Sequence, residues 1–320
     1  MTFFLQNLVN ALQWGSFYAL IALGYSMVYG VLLLFNFAHG DVFMVGAYVG
    51  FFVSGGLLAL ATAGFLALPV PVMLGLALVL TLIISMFLNS FVGMAVERIG
   101  YRPLRLRGAP RASAAITGLM LGIILEVGNL ILLGPQRRKF PDELVQIGST
   151  PIQVLGVSVT PKKIAIVLVS LALMYGLHLF VSRTKWGMAM RALAYDMARN
   201  YGVVPLMGVP IDNIALLTFA IGSGLAAAAG ILFGIAYPVL DPYMGIRFGW
   251  KAFVAAILGG RGSILGACFA GFLLGFIEIF VAAFLPSTLR DLIAFSIVLI
   301  ILTFRPHGLF GEAYTARLRL

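Results

Sequence analysis

The sequence predicts an all-α, polytopic helical bundle of about eight to nine membrane spans with broken or half helices. Three observations predict it. Of all residues 62% are hydrophobic and only 10% are charged, and the mean hydropathy is +1.07. A water-soluble domain carries roughly 25% charged residues. The apolar runs have helical length and do not alternate over strands of about 10 residues, which excludes an outer-membrane barrel. Glycines and prolines interrupt several of them, as in Gly259-Gly260-Arg261-Gly262. The whole chain, 1–320, reads as a single membrane domain. No cleavable signal peptide is expected, because MTFFLQN lacks a basic start and the apolar sequence continues far past signal length.

Taken in order, a first helix covers Leu8 to Leu34, with Gly15, Ser16, Ala19, Ala22 and Ser26 small enough for close helix packing. Asn36-Phe37-Ala38-His39-Gly40-Asp41 follows, a polar break between two apolar runs. Non-helical backbone at membrane depth is tolerated where it lines a wet cavity or is buried in protein. One reading is therefore a pathway-lining break. The other is a short interfacial loop with Asn36 or Asp41 capping the next helix. The second helix runs from Val42 to the Gly55-Gly56 region and as far as Ala67, and Pro69 and Pro71 mark a turn. The third, Val72 to Val96, leads into Arg98, Arg102, Arg105, Arg107 and Arg111, a cluster that places this loop in the cytoplasm. Ile116 to Leu133 crosses back and carries Glu126, which is either functional or a helix–helix hydrogen bond.

Residues 134–163 form the longest loop, extracytoplasmic by this count, with a small hairpin expected in its β-branched stretches VQI and IQVLGVSV. Its own Arg137, Arg138, Lys139, Lys162 and Lys163 run against the charge rule. A fifth span covers Ile164 to Val181. A sixth, Ile214 to Ala236, is rich in glycine and alanine. Lys251 to Leu258 is a short apolar run before glycines and reads as a half-helix. Ile264 to Leu285, carrying Glu278, and Leu292 to Phe304 complete the spans, and Arg317 and Arg319 put the tail inside.

Between the fifth and sixth spans lies the one long polar helix-former, within the cytoplasmic loop 183–213. Met190, Leu193, Ala194, Met197 and Tyr201 recur at helical spacing, while Arg191, Asp196 and Arg199 fall off that stripe. The segment is too short to span a bilayer. It is either a docking element for another protein or a helix lying among lipid headgroups.

The formal net charge is +10, and the basic residues sit in loops between spans. Orientation and anionic headgroups account for them, without nucleic acid. Cys268 is the single cysteine and allows no internal disulfide. His39, His178 and His307 are far apart and match no metal pattern. The glycines at 259–263 lack the GK[ST] ending of a phosphate loop, and no catalytic triad pattern stands out. A polytopic chain without an energy-converting site dissipates a gradient or takes energy from a partner.

The residues also carry a family resemblance. GSFYALIALGYSMVYGV from Gly15, NFAHGDVFMVG from Asn36, VERIGYRPLR from Val96, DPYMG from Asp241, KAFVAAILGGRGSILG from Lys251 and FRPHGLFG from Phe304 together resemble the LivH-type permease of bacterial ATP-binding-cassette importers for branched-chain amino acids. The resemblance implies a subunit of the inner membrane that is not itself an enzyme. It would pair with a second, related permease, with two cytoplasmic ATPase subunits that hold ATP and magnesium, and with a periplasmic binding protein. No cofactor is implied for this chain. The ATPase-docking residues would be Met190, Arg191, Leu193, Tyr195, Asp196, Met197 and Arg199. The substrate path would involve Asn36, His39, Asp41, Glu126 and Glu278, and Gly40, Gly259, Gly260 and Gly262 would serve as hinges for alternating access. Two departures stand out: less charge across Tyr195 to Tyr201 than the family usually carries, and a basic Arg261. A permease for urea or short amides within the same family, and a transporter or channel working alone, are the alternatives. A membrane enzyme would need a catalytic cluster.

Overall fold

The computed structural model describes residues 2–63, 69–154, 156–199, 202–260 and 262–311. Tyr201, Arg261, Arg317, Arg319 and the side chain of Arg199 lie outside that description. Ten helices carry the architecture: α1 Thr2–Leu32, α2 His39–Thr62, α3 Val70–Leu106, α4 Arg111–Leu133, α5 Pro161–Arg183, α6 Lys185–Arg199, α7 Ile211–Ala236, α8 Met244–Gly259, α9 Ile264–Phe284 and α10 Arg290–Phe304. Seven of them, α1 to α5, α7 and α9, are long and apolar enough to cross a membrane. The other two apolar helices are shorter. α8 has 16 residues and α10 has 15. At about 1.5 Å per residue neither fills a hydrocarbon core of about 30 Å, and α8 begins at Met244, well before the short run expected from Lys251, so it is a short helix rather than a half-helix confined to 251–258.

Local chemistry sets the ends. Pro71 and Pro161 sit in first turns, where a missing N–H costs nothing. Thr184 Oγ1 accepts from the Gly187 N–H at 3.0 Å, and Ser263 Oγ accepts from the Gly266 N–H at 3.0 Å, so each caps a helix start. α3 runs through the arginine cluster to Leu106, with a π-helical stretch at Val96–Tyr101. The expected loop hairpin is Ile152–Val154 paired antiparallel with Val157–Val159. Val145-Gln146-Ile147 takes no part in it, and Val145 closes a single helical turn, Asp142–Val145. A second strand pair joins Arg138–Lys139 to Val239–Leu240, linking the loops that follow α4 and α7.

α1 and α7 form the centre. Of their most apolar stretches, 89% and 83% are buried inside the chain, against 17% for α3 and α4. Small residues allow this. A methyl group on Gly271 of α9 would stand 2.4 Å from the backbone of Ala19, and one on Gly46 of α2 would stand 2.5 Å from Ala227 Cα in α7. α8 crosses α2 just as closely, since a methyl on Gly40 would lie 2.6 Å from Gly249 Cα. One end of the bundle gathers the start of α1 and the hairpin: Gln6 exchanges two hydrogen bonds with the backbone of Ser158, and Lys163 donates to Asn10 at 2.7 Å. The other end gathers the α1–α2 break, the α8–α9 break and the segment after α10, where Gly30 touches Gly262 and Gly260 touches Gly311.

Candidate translocation path and docking helix

The break after α1 begins at Leu33, whose φ of 54° is left-handed. A branched side chain adopts that region rarely, so the surrounding packing must hold it. Asn36 is buried, and the Tyr101 hydroxyl stands 3.3 Å from its Oδ1 and 3.2 Å from the Phe35 carbonyl. The His39 N–H donates to the Asn36 carbonyl at 3.1 Å and opens α2. The break faces Gly118, where a methyl would lie 3.0 Å from Phe37 N. Gly118 is two turns inside α4, so the break sits within the span rather than beyond it.

Three cavities adjoin one another along α8. The first, of about 120 Å³, has Asn36, Ser26 and Gly262 in its wall. The second, of about 180 Å³, holds Asp41 and Glu126 and shares Tyr25 and Phe253 with the first. The third, of about 630 Å³ and more open, is lined by Arg247, Lys251, Arg290 and Asp291 and shares Ile246 and Trp250 with the second. Sequence reasoning missed Tyr25, Trp250 and Phe253, because an aromatic residue in an apolar run carries no signal of a wall.

Asn36, Asp41 and Glu126 line this row of cavities, whereas His39 and Glu278 are not among the lining residues of these three. His39 is buried behind the wall, edge-on to Tyr25 with ring centres 4.8 Å apart and close against Gly24. Glu278 is buried in an ion network: its Oε2 accepts from Tyr18 at 2.8 Å and its Oε1 lies 2.8 Å from Lys251 Nζ. Lys251 also reaches Asp291 at 2.7 Å and so ties α8, α9 and α10 together. A lysine and a glutamate in neighbouring apolar segments are a legible signal, since ionisable residues inside a membrane pair with one another. A second network joins α3 to α7: Arg105 bridges buried Glu97 at 2.9 Å and Asp212 at 2.6 Å, and Arg102 holds Asp212 at 2.8 Å.

All four candidate hinges are closely packed, and two of them also need glycine for their backbone. Gly40 and Gly259 have a packing reason for lacking a side chain: a methyl on Gly259 would stand 2.3 Å from the backbone of Gly266. Gly260 and Gly262 have φ values of 105° and 74°, which favour glycine at the turn between α8 and α9.

α6 is amphipathic, but its apolar stripe packs on its own chain. Met190 and Leu193 are buried and Met197 is half-buried. Asp196 is also buried, and its carboxylate accepts from the N–H groups of Val203 at 3.1 Å and Val204 at 3.3 Å, closing the turn after the helix. Met190, Leu193 and Asp196 therefore face their own chain in this structure. Arg191 is exposed and donates to the Val181 carbonyl, and Tyr195 is exposed. The outward face adds Trp186, Met188 and, beyond the helix, Leu206 and Met207, the last two 85% and 76% exposed. Periodicity alone could not tell a stripe facing a partner from one facing the chain's own α1, α5 and α7.

A row of cavities beside a short helix, in a bundle whose centre is packed on glycine, fits a membrane transport protein. A family model described as branched-chain amino acid transport system, permease component, matches residues 7–302, and the chain belongs to that family. It is 38% identical over 312 residues, 97% of this chain and 96% of the relative, to the high-affinity branched-chain amino acid transport system permease protein BraD of Pseudomonas aeruginosa. It is 34% identical over 321 residues, again 97% and 96%, to the corresponding protein LivH of Escherichia coli. A probable LivH of Methanocaldococcus jannaschii is 25% identical over 328 residues, 98% of this chain and 94% of that one. No solved structure matches the chain. It is accordingly a multi-pass permease component of the inner membrane and not an enzyme.

Proposed function

We propose that this chain is one of two related membrane subunits of an importer that carries branched-chain amino acids inward, driven by two cytoplasmic ATPases that hold ATP and magnesium and supplied by a periplasmic binding protein. The observation that carries the reading is the row of adjoining cavities along α8, from the Arg247–Asp291 vestibule past Asp41 to Asn36. The names of the full-length relatives support the substrate. In this reading the arginine-rich end of α3, loop 183–213 and the chain's last residues face the cytoplasm, and loop 134–163 faces out. The ATPase would engage Trp186, Met188, Arg191, Tyr195, Leu206 and Met207, whose exposed apolar surface at a loop asks for a cover. ATP-driven closure would move α6 as a lever and rock the packed helices, with Gly260 and Gly262 absorbing the change.

The test is to purify the tagged chain gently, identify its companions by mass spectrometry, and measure uptake of L-leucine in liposomes with ATP and the cognate binding protein. Two ATPase subunits and a second permease are expected. The variant Met188→Ala/Leu206→Ala/Met207→Ala should keep the second permease, lose the ATPase and cut uptake at least about ten-fold, each anchor contributing roughly 1 kcal/mol or more. Normal coupled uptake in that variant overturns the docking face. Flux without ATP or companions overturns the importer.

A further inference from the structure

We propose that the second cavity is a recognition site for an alkylammonium group, the amino end of the transported amino acid, with Asp41 as its principal anchor and Glu126 as its second. The proposal rests on the importer reading and deepens it.

Asp41 is 6% exposed, and its Oδ1 has no hydrogen-bond partner among the described residues. Two glycines make room for the carboxylate. A methyl group on Gly245 of α8 would come within 2.4 Å of Oδ1, and one on Gly122 of α4 within 2.5 Å of Oδ2. Glu126 follows Gly122 by four residues, so it stands on the same face of α4 one turn on, and both carboxylates line this cavity. No lysine or arginine lines it among the described residues. The remaining wall combines the aromatic Tyr25, Phe37, Trp250 and Phe253 with aliphatic side chains and glycines.

This combination has a chemical meaning. A carboxylate held out of water without a partner is costly, and a cation entering beside it removes that cost. Two acidic groups select positive charge, and ring faces add cation–π attraction. The apolar parts of the same rings suit a short branched alkyl chain. The basic vestibule one step along α8 is the natural place for the carboxylate end to arrive first. The arrangement lets a zwitterion be handed from a positive to a negative region.

The test uses the purified full-length chain with its co-purifying subunits, in deuterated detergent, followed by saturation-transfer NMR. The probes are isopentylammonium chloride, sodium 4-methylpentanoate and L-leucine. Isopentylammonium should bind, L-leucine should displace it, and 4-methylpentanoate should not. Asp41→Asn should weaken the amine about ten-fold or more and Glu126→Gln less, as expected for losing a charge-assisted hydrogen bond. Asp41→Asn should also melt no lower than the parent in the absence of ligand, because the replaced group is unsatisfied; a structural carboxylate would show the opposite. Equal binding of 4-methylpentanoate, or unchanged amine binding in Asp41→Asn, overturns the proposal. Displacement by sodium but not by L-leucine assigns the cavity to an inorganic cation and overturns it as well. Leucine uptake by the assembled importer alongside any of these failures leaves the permease reading standing. Failure of uptake with ATP and binding protein sinks that reading independently of amine binding.

Discussion

α3 is the most apolar span, with a mean hydropathy of 2.5 over its most apolar stretch, yet only 17% of that stretch is buried; α1 reaches only 1.4 and is 89% buried. The order is the reverse of a water-soluble protein's. Against lipid, large side chains face outward at no cost, so hydropathy reports contact with the bilayer. What draws helices together is close approach of backbones and paired polar groups. α1 therefore spends its length on Gly15, Ala19, Ala22 and Gly24, while α3 shows Val79, Ile83, Phe87 and Phe91 to the outside.

The sharpest way to break this contrast is to disturb a charge inside. Lys251 neutralises buried Glu278 and reaches Asp291 from α8. Lys251→Met should destabilise the bundle by about 3–5 kcal/mol, because it strands a buried carboxylate. Lys251→Met/Glu278→Gln should recover most of that loss. Thermal melting of the purified chain, read by size-exclusion chromatography, compares the two. Equal melting of the single and double variants would show that the ion pair does not hold α8 to α9.

Less severe is the loss of a small residue. Gly271→Val puts a branched side chain where the backbone of Ala19 lies 2.4 Å from the first added carbon. α1 and α9 must separate, at a cost of about 1–3 kcal/mol or more. The same melting assay should show a clear drop, and a melt within error of the parent would mean the two helices are not in contact there.

These contrasts also show what the sequence could convey. The spans were legible, because an unbroken apolar run long enough to cross lipid as a helix is rare in a water-soluble chain. The short run before Gly259 was legible as a helix end, but not the start of that helix at Met244. The continuation of α3 through Arg102 and Arg105 was not. Charge ends a membrane span but not a helix, and here the helix is continued by arginines that find Glu97 and Asp212, the latter more than 100 residues away. The pairing of Arg138–Lys139 with Val239–Leu240 was hidden for a similar reason, since each strand has two residues and no pattern of its own. Of the site, Asn36, Asp41 and Glu126 announced themselves as polar residues at membrane depth. His39 gave the same signal and proved to be a packed side chain. Glycine motifs were ambiguous in the same way: Gly40 and Gly260 look alike in sequence, yet one permits a helix crossing and the other a left-handed turn.

The smallest effect belongs to the outer face. Phe87 of α3 is 63% exposed and touches chiefly Phe91, with ring centres 5.0 Å apart. In water, exposing such a ring would be unfavourable and trimming it would favour solubility. In lipid, neither the ring nor its loss changes what the helix meets. Phe87→Ala should therefore move the melting free energy by no more than about 0.5 kcal/mol, as for a surface position, and leave leucine uptake unchanged. Phe17, in contrast, is fully buried on α1 and packs edge-on against Phe233 at 5.6 Å, so Phe17→Ala in the same assay should cost about 3 kcal/mol or more. If Phe87→Ala proved as damaging as Phe17→Ala, the face of α3 would not meet lipid at all. It would meet another protein, and the second permease subunit would be the first candidate to cross-link through position 87.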